Sequence, residues 1–348
     1  MIKVGIIGIG FMGTTHFGIY KGLPNAQITA IADHDPVKCS GDISKVAGNI
    51  GNGSGSQLDM TGITAYTDPF EMIAKADVDV VDICVPTPFH CDYVIAALNA
   101  GKHVFCEKPI CRNFEQLEQL KAALAARKEG QCFNVGMCVR AWPEYDDAKK
   151  RIDAGELGKI SSATFRRLSP SVVGNGWKDW YLNDEISGGA LLDMHLHDTD
   201  YICHLFGVPQ SVTSFGVKGI ISDKAVDHII TNYNYGDGIM VSAEGGWCMG
   251  KSFVFDMSFI INGEKGTLQL GANGYWAYWN DERGAQQITL DTGDLPTGWH
   301  RELAYFIDCI EKGETPDRWQ TPESVINAWR VVMAEAASVD SGKAEPIK

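Results

Sequence analysis

Gly8-Ile9-Gly10-Phe11-Met12-Gly13 follows directly on an apolar run at 3–8 and precedes a segment with the pattern of a helix. In such a G-x-G-x-x-G turn the first glycine permits a tight turn, the second lets a pyrophosphate approach the backbone, and the third lets the helix pack closely on the strand. The helix N-terminus then faces the phosphates with its partial positive charge. The stretch therefore predicts a dinucleotide site built from Gly8, Gly10, Phe11, Met12 and Gly13. The alternative is a tight turn that binds no ligand.

Asp33 ends the second apolar run, 20 residues after Gly13. A carboxylate at this position binds the ribose 2′-hydroxyl of NAD and repels the 2′-phosphate of NADP. The sequence therefore predicts NAD as the cofactor. NADP stays an alternative, because His34 and Lys38 lie close by and a cation there offsets one carboxylate.

Short β-branched runs alternate with helix-like stretches through the first part of the chain. This alternation, with nearly continuous apolar strands, is typical of a parallel sheet covered on both faces. We expect an α/β protein whose N-terminal Rossmann domain covers residues 1–138. The Gly-, Ser- and Asn-rich segment 48–56 is interpreted as a surface insertion without an assigned role.

Strands dominate from about residue 139, with turn sequences at 236–238 and 262–266. The pattern predicts a second, α+β domain over 139–321, which carries a large, mostly antiparallel open sheet. A helix is predicted over 322–340, since Pro322 suits a helix start. We expect that helix to return to the Rossmann domain and pack on it.

Composition excludes several classes of protein. The 348 residues include 30 Lys and Arg against 44 Asp and Glu, a net charge of −14, which argues against binding nucleic acid. No apolar stretch reaches the roughly 20 residues of a membrane span, and the N-terminus lacks the pattern of a signal peptide. The ten cysteines show no C-x-x-C pair or metal-type spacing. We expect a cytoplasmic protein with no membrane partner.

Two further segments fall at the ends of the fourth and fifth strands, where ligands bind in such sheets. The first contains Pro86, Thr87 and His90, and the second contains Glu107 and Lys108. A lysine beside a nicotinamide can donate a hydrogen bond to a substrate oxygen and stabilise negative charge that develops there. These residues are predicted to bind the cofactor, with Lys108 also catalytic. A solvated surface lysine is the alternative for Lys108, and a helix cap for His90.

The segment 187–198 places Asp193 and His197 four residues apart on an apolar helix, and thus on one face. A carboxylate beside a histidine orients the ring and makes it a stronger base. A purely structural Asp–His bond is the alternative. A second alternative is a hydrolase metal dyad formed by His195 and His197. Residues two apart diverge on a helix, so we expect no metal site.

Together these features resemble the glucose–fructose oxidoreductase / inositol dehydrogenase (Gfo/Idh/MocA) family over nearly the whole chain. The resemblance rests on five motifs: Gly8-x-Gly10-x-x-Gly13 with His16, Pro86-Thr87-Pro88 with His90, the segment 101–109 ending in Glu107-Lys108-Pro109, Arg140 near Pro143, and Gly188-Gly189 followed by Asp193 and His197. It implies an NAD(P)-dependent dehydrogenase that transfers hydride between the nicotinamide and a secondary hydroxyl of a sugar or cyclic polyol. In this family, residues that match Lys108, Asp193 and His197 form the catalytic triad.

The resemblance also implies a homodimer or homotetramer that forms through the C-terminal sheet. Sugars favour flat aromatic faces with polar rims, so five further residues are candidate substrate contacts: Arg140, Arg166, Trp177, Trp180 and His300. Reduction of a keto-sugar with NADPH is the alternative reaction. A non-catalytic dinucleotide sensor is the alternative of another class, and it would not need Lys108 together with His197.

Overall fold

The computed structural model describes residues 1–46, 56–174, 177–222, 224–236 and 238–348, without the side chains of 177 and 178. Apart from Ser56, the predicted insertion at 48–56 lies outside these residues. The chain divides into two compact units. The first contains Met1–Cys138, Gly174–Trp180 and Trp299–Pro322, and the second contains Val139–Val173, Tyr181–Gly298 and Glu323–Lys348.

A six-stranded parallel sheet forms the centre of the first unit, in the order β3-β2-β1-β4-β5-β6. This confirms the predicted Rossmann sheet. Its strands are β1 (Ile2–Ile7), β2 (Ala26–Ala32), β3 (Thr64–Tyr66), β4 (Val80–Ile83), β5 (His103–Cys106) and β6 (Phe133–Val135). The helices between them are α1 (Phe11–Gly22), α2 (Pro36–Cys39), α3 (Pro69–Lys75), α4 (His90–Asn99) and α5 (Phe114–Ala126).

Local sequence explains where several of these helices begin. Asp35, Asp68 and Asn113 each accept a backbone N–H of the first helical turn through the side chain, as N-cap residues do. Pro36 and Pro69 follow the two aspartates, at a position where the missing N–H costs nothing. The helix starts are therefore encoded locally.

The second unit is built on a nine-stranded sheet in the order β14-β13-β12-β11-β7-β10-β9-β8-β15. Among the described strands of this sheet, β7 and β10 alone pair in parallel, with Arg166 opposite Glu244, so the predicted mostly antiparallel sheet is confirmed. The strands are β7 (Ile160–Pro170), β8 (Ser211–Lys218), β9 (Val226–Asn234), β10 (Met240–Met249), β11 (Asp256–Gly263), β12 (Gly266–Gly271), β13 (Gly274–Trp279), β14 (Ala285–Gln287) and β15 (Glu345–Pro346). Its helices are α6 (Pro143–Asp153), α7 (Asp184–Ser187), α8 (Leu196–Phe206) and α10 (Pro322–Ser341).

The last two long helices belong to the opposite units from those predicted. Helix α9 (Gly298–Lys312) contributes Leu303, Phe306 and Ile307 to the core of the first unit. Although 322–340 was expected to return to the Rossmann domain, helix α10 lies in the second unit. There the buried Glu335 accepts a hydrogen bond from Thr199 of α8. Among the described residues, no helix is long and apolar enough to cross a membrane.

Candidate active site

The three glycines of the first turn meet different surroundings. Gly8 has φ +89°, and a Cβ there would lie 2.4 Å from the carbonyl oxygen of Cys84. A Cβ on Gly13 would lie 1.8 Å from the carbonyl oxygen of Gly8, whereas a Cβ on Gly10 would meet no atom within 4 Å. Gly8 and Gly13 are therefore required by packing. Gly10 leaves open space beside the backbone, which fits the approach of a dinucleotide pyrophosphate.

Asp33 lies directly after β2 and contacts the glycine turn. Its Oδ2 accepts the Ile9 N–H at 2.8 Å, and its Oδ1 accepts the Asp35 N–H at 2.9 Å. The Nζ atom of Lys38 lies 3.3 Å from Oδ2. The carboxylate thus lies where the ribose of a bound dinucleotide is expected, and the cation considered in the sequence analysis is paired with it.

His90 joins the loops that follow β4 and β5. Its ring is buried, with Nδ1 2.7 Å from the carbonyl oxygen of Pro109 and Nε2 2.7 Å from that of Val85. Burial lowers the pKa of His90. The residue therefore ties together the loops that carry Pro86, Thr87 and Lys108, which indicates a positioning role in place of the predicted direct contact with cofactor.

Glu107 begins a buried chain of ionisable groups beneath Lys108. Its Oε2 accepts the Lys108 backbone N–H at 3.2 Å, and its Oε1 lies 3.3 Å from Nε2 of His16. The other ring nitrogen of His16 lies 2.8 Å from Oδ2 of Asp82. Gly136 makes room, since a Cβ there would lie 2.7 Å from Glu107 Oε1. These buried side chains connect Asp82 on β4, through His16 and Glu107, to the backbone of Lys108.

Sequence reasoning missed Asp82, although a signal was present. A carboxylate within the otherwise apolar, fully buried strand β4 requires a partner. The ligand atoms of His16, Asp82 and Cys84 lie within 4.8 Å of one another, a donor set that suits a transition metal. Because His16 and Asp82 already bond each other, we interpret the cluster as a hydrogen-bonded network.

Asp193 lies in a π-helical turn, Leu191–His195, and His197 lies in the first turn of α8. The helix predicted here is present, but the segment Leu191–His195 is wound as a π-helix and not as an α-helix. Gly188 and Gly189 precede the turn with φ +75° and +71°, and a Cβ on Gly189 would lie 2.8 Å from the carbonyl oxygen of Val226. Gly189 therefore allows a close approach to β9, whereas a Cβ on Gly188 would lie 2.7 Å from the Leu192 side chain. Single π turns occur frequently at functional sites.

The neighbouring ionisable residues of this segment form buried pairs within the second unit. Asp198 accepts two hydrogen bonds from Arg167, at 2.8 and 3.0 Å. His195 is fully buried and contacts Tyr233 and Glu335, whereas His197 is partly exposed. The two histidines of the proposed metal dyad thus have different environments.

The predicted substrate contacts are distributed among several places. Arg140 is buried and donates two hydrogen bonds to Asp200, at 2.7 and 2.6 Å, and one to Ser324. This pairing gives Arg140 a structural role, so we do not retain it as a substrate contact. Arg166 is 52% exposed and pairs with Glu244 at 3.1 Å, and its contact with substrate stays a prediction.

The remaining predicted contacts belong to the first unit. Trp180 lies in a short 3₁₀ turn, Trp177–Leu182, and His300 lies in the first turn of α9. Burial lowers the pKa of His300. The side chain of Trp177 lies outside the described residues.

Lys108 also belongs to the first unit, whereas Asp193 and His197 belong to the second.

Two family models match the chain. The model described as "Oxidoreductase family, NAD-binding Rossmann fold" matches residues 2–137. The model described as "GFO/IDH/MocA C-terminal domain" matches residues 145–269. Together they match well over half of the chain.

Similar proteins of known name include two inositol dehydrogenases. The scyllo-inositol 2-dehydrogenase (NAD(+)) of Bacillus subtilis is 28% identical over 338 residues, covering 90% of this chain and 88% of its own length. The inositol 2-dehydrogenase of Rhizobium meliloti is 28% identical over 332 residues, covering 90% and 89%. Each alignment thus spans nearly the whole length of both proteins.

Similar solved structures share the fold over the whole chain. Levoglucosan dehydrogenase in complex with NADH and levoglucosan has a TM-score of 0.82 at 21% identity, covering 99% of each chain. Scyllo-inositol dehydrogenase from Lactobacillus casei, with NAD(H) and scyllo-inositol bound, has a TM-score of 0.79 at 23% identity, covering 100% of this chain and 99% of its own.

Proposed function

The chain belongs to the Gfo/Idh/MocA family of NAD-binding oxidoreductases, and from this we propose that it oxidises a secondary hydroxyl of a cyclic polyol or sugar. The relatives of similar length are named for inositols, and the structures that share its fold hold scyllo-inositol or levoglucosan. These compounds are uncharged rings with several hydroxyls. The substrate class we propose is therefore a neutral cyclic polyol or anhydrosugar.

One observation carries the proposal: a glycine turn with room for a dinucleotide lies in the same unit as Lys108, which follows β5 at the carboxyl edge of the sheet. Ligands of open parallel sheets bind at that edge. A sensor that only binds the dinucleotide has no need of a lysine there or of the Asp193 and His197 pair. The co-occurrence of these residues favours an enzyme.

Each residue has a proposed part in the reaction. Gly10 and Asp33 would hold NAD, which would supply the hydride acceptor for the substrate carbon. Lys108 hydrogen-bonds the substrate oxygen and positions it, and His197, oriented by Asp193, takes the hydroxyl proton. The C–H and O–H bonds break as the C=O double bond forms, so the hydride and the proton are both accounted for. An exchange of roles between Lys108 and His197 is the alternative assignment.

Lys38 supports a second candidate. Its ammonium lies 3.3 Å from Asp33 Oδ2 and reduces the local negative charge, which favours tolerance of a 2′-phosphate. Reduction of a keto-sugar with NADPH is therefore the second candidate reaction. A panel of cyclic polyols and anhydrosugars assayed with NAD and NADP, with the reverse substrates assayed alongside, distinguishes the two.

The decisive variants are Lys108→Ala and His197→Ala, with Lys102→Ala at the opposite end of β5 as a matched control. We expect each active-site variant to lose about a hundredfold or more in kcat. NADH affinity, measured by cofactor fluorescence, should stay within a few fold of the wild type. The control should retain wild-type turnover. Full turnover by either active-site variant would overturn the assignment.

We also propose that the enzyme acts as a homodimer or homotetramer. Phe215 of β8 is 67% exposed and pairs in register with Ile230 of β9, which is also exposed. An open apolar sheet face of this kind is typical of an interface. A second copy of the chain is the partner that we propose.

The ten cysteines, all among the described residues, are thiols, which supports a cytoplasmic location.

A further inference from the structure

His195 lies midway in sequence between Asp193 and His197, and its side chain is fully buried. Its Nε2 lies 3.3 Å from the hydroxyl of Tyr233 on β9 and 3.5 Å from Oε2 of Glu335 on α10. The π-helical turn is thus joined to two other elements of the same unit through a residue that the proposed reaction does not use.

A fourth side chain lies between Tyr233 and Glu335. The Oγ1 atom of Thr199 lies 2.8 Å from the Tyr233 hydroxyl and donates to Oε1 of Glu335 at 2.9 Å. All four side chains are buried. Three hydrogen bonds link the four side chains in sequence from His195 through Tyr233 and Thr199 to Glu335. The 3.5 Å contact between Glu335 Oε2 and His195 is not a hydrogen bond, since Oε2 has no hydrogen-bond partner among the described residues. Breaking any of the three bonds leaves a buried polar group unsatisfied, so the bonds hold these side chains in place.

The backbone of β10 encloses the opposite side of the His195 ring. A Cβ on Gly245 would lie 2.6 Å from Nδ1 of His195. Met194, the preceding residue, packs in an apolar cluster with Val172 and Trp247. The turn is therefore held on one side by apolar packing and on the other by the hydrogen-bonded polar side chains.

We propose that Glu335 is a positioning residue, which acts through His195 to hold the π-helical turn and thereby sets where Asp193 and His197 lie. This inference rests on the proposed function, in which those two residues are catalytic. When Glu335 is an uncharged acid and His195 is an uncharged imidazole, the two can stay in contact. The four side chains then keep their positions without a net charge in the interior.

The charge states of the two residues agree with a neutral contact. Burial raises the pKa of Glu335 to about 8, and burial, followed by Arg167 and His228, lowers the pKa of His195 to about 3. Glu335 therefore holds a proton at neutral pH, and His195 does not. As the pH rises through about 8, a negative charge appears among these buried side chains.

The other charged and titratable groups near the pair come from four elements, β7, β9, β10 and α8. On β7, Arg167 is paired with Asp198, and on β9, His228 is paired with Glu244. Tyr233 of β9 has its pKa raised by burial, and so has Cys203 of α8, so both stay neutral near pH 8. Among the four side chains His195, Thr199, Tyr233 and Glu335, Glu335 is the one that changes charge in this range.

Glu335→Gln tests the proposal, because glutamine has the shape of the protonated acid and does not ionise. In the wild type, we expect kcat to fall as the pH rises through about 8. In Glu335→Gln, this decline should shift to higher pH or disappear, and turnover at pH 7 should be largely retained. In Glu335→Ala, the hydrogen bond from Thr199 is lost at every pH, and kcat should fall by about tenfold to a hundredfold.

Glu323→Gln, an exposed acid on the same helix, is the matched control and should follow the wild-type profile. Circular dichroism at each pH verifies that the variants are folded. NADH titration verifies that the first unit still binds the cofactor. A Glu335→Gln profile that superimposes on the wild-type profile would refute the inference. So would a Glu335→Ala variant with wild-type kcat.

The two proposals fail in different ways. If His197→Ala and Asp193→Asn keep full turnover, the proposed function is wrong. If those variants lose turnover and Glu335→Gln leaves the pH profile unchanged, the active-site assignment stands and the positioning role of Glu335 is wrong.

Discussion

The Nδ1 atom of His16 lies 2.8 Å from Oδ2 of Asp82, and both side chains are completely buried. Glu107 lies 3.3 Å from the opposite ring nitrogen. Burial opposes a charge on the ring, but Cys84 and Asp82 outweigh it and raise the pKa of His16 well above its usual value. The site thus favours the charged form of the His16 ring.

The raised pKa of His16 makes the stability of the fold depend on pH in a defined direction. The folded-state pKa of His16 exceeds the unfolded value of about 6.5. Its contribution to stability is therefore fully present below that value and is lost as the pH rises through the folded pKa. We predict that His16→Gln lowers the free energy of unfolding by about 3–5 kcal/mol at pH 6, and by less at pH 9.

Urea unfolding at a series of pH values measures this difference. His103→Gln is the control, because burial lowers the pKa of His103. The contribution of His103 to the free energy of unfolding therefore has the opposite pH dependence, and it is lost as the pH falls. A His16→Gln penalty that is constant from pH 6 to 9 would contradict the charged state.

Gly10 and Gly13 allow cofactor binding to be separated from folding. Alanine at 13 would place Cβ 1.8 Å from the Gly8 carbonyl oxygen, so we predict that Gly13→Ala costs about 3 kcal/mol or more of stability. Alanine at 10 meets no protein atom within 4 Å. Gly10→Ala should keep the wild-type Tm but bind NADH about tenfold more weakly or worse.

Thermal unfolding measures the stability of both variants, and NADH fluorescence measures their affinity for the cofactor. Gly18→Ala is a control within α1, since a Cβ there also meets no atom within 4 Å, and it should change neither quantity greatly. Wild-type NADH affinity in Gly10→Ala would show that the cofactor does not approach this turn.

Much of the fold was predictable because its signals are local. The six strands of the first unit are short apolar runs between helix caps and turns, and a parallel sheet follows from their alternation with helices. The glycine turn and Asp33 are separated by a fixed spacing that the Rossmann fold imposes. Such features depend on the chemistry of neighbouring residues and can be identified in one sequence.

The features that were missed depend on contacts between residues far apart in sequence. Arg140 meets Asp200 across 60 residues, so the sequence alone did not show that this cation is buried in an ion pair. Helices α9 and α10 are both amphipathic, and periodicity alone does not show which sheet each one covers. Their placement depends on Phe306, which completes one core, and on Glu335, which bonds within the other.

Asp33 is expected to control cofactor choice. Asp33→Asn removes the negative charge but keeps an oxygen that can accept the Ile9 N–H. Hydrogen bonds to charged groups contribute about 1.5–3 kcal/mol, so we predict that kcat/KM for NAD falls about tenfold while that for NADP rises. Asp35→Asn, which alters the N-cap of α2, is the control. An unchanged ratio of the two kcat/KM values would argue against a ribose contact.

The exposed Phe215 predicts how subunits associate. A lysine in the centre of an apolar interface must lose its hydration without a partner, so Phe215→Lys should convert the oligomer to monomers. Sedimentation velocity measures the state of the protein directly. Phe114→Lys is the matched control, since Phe114 is also more than half exposed but lies on α5 of the first unit. A wild-type monomer, or a Phe215→Lys variant that still assembles, would rule out this face as the contact between copies.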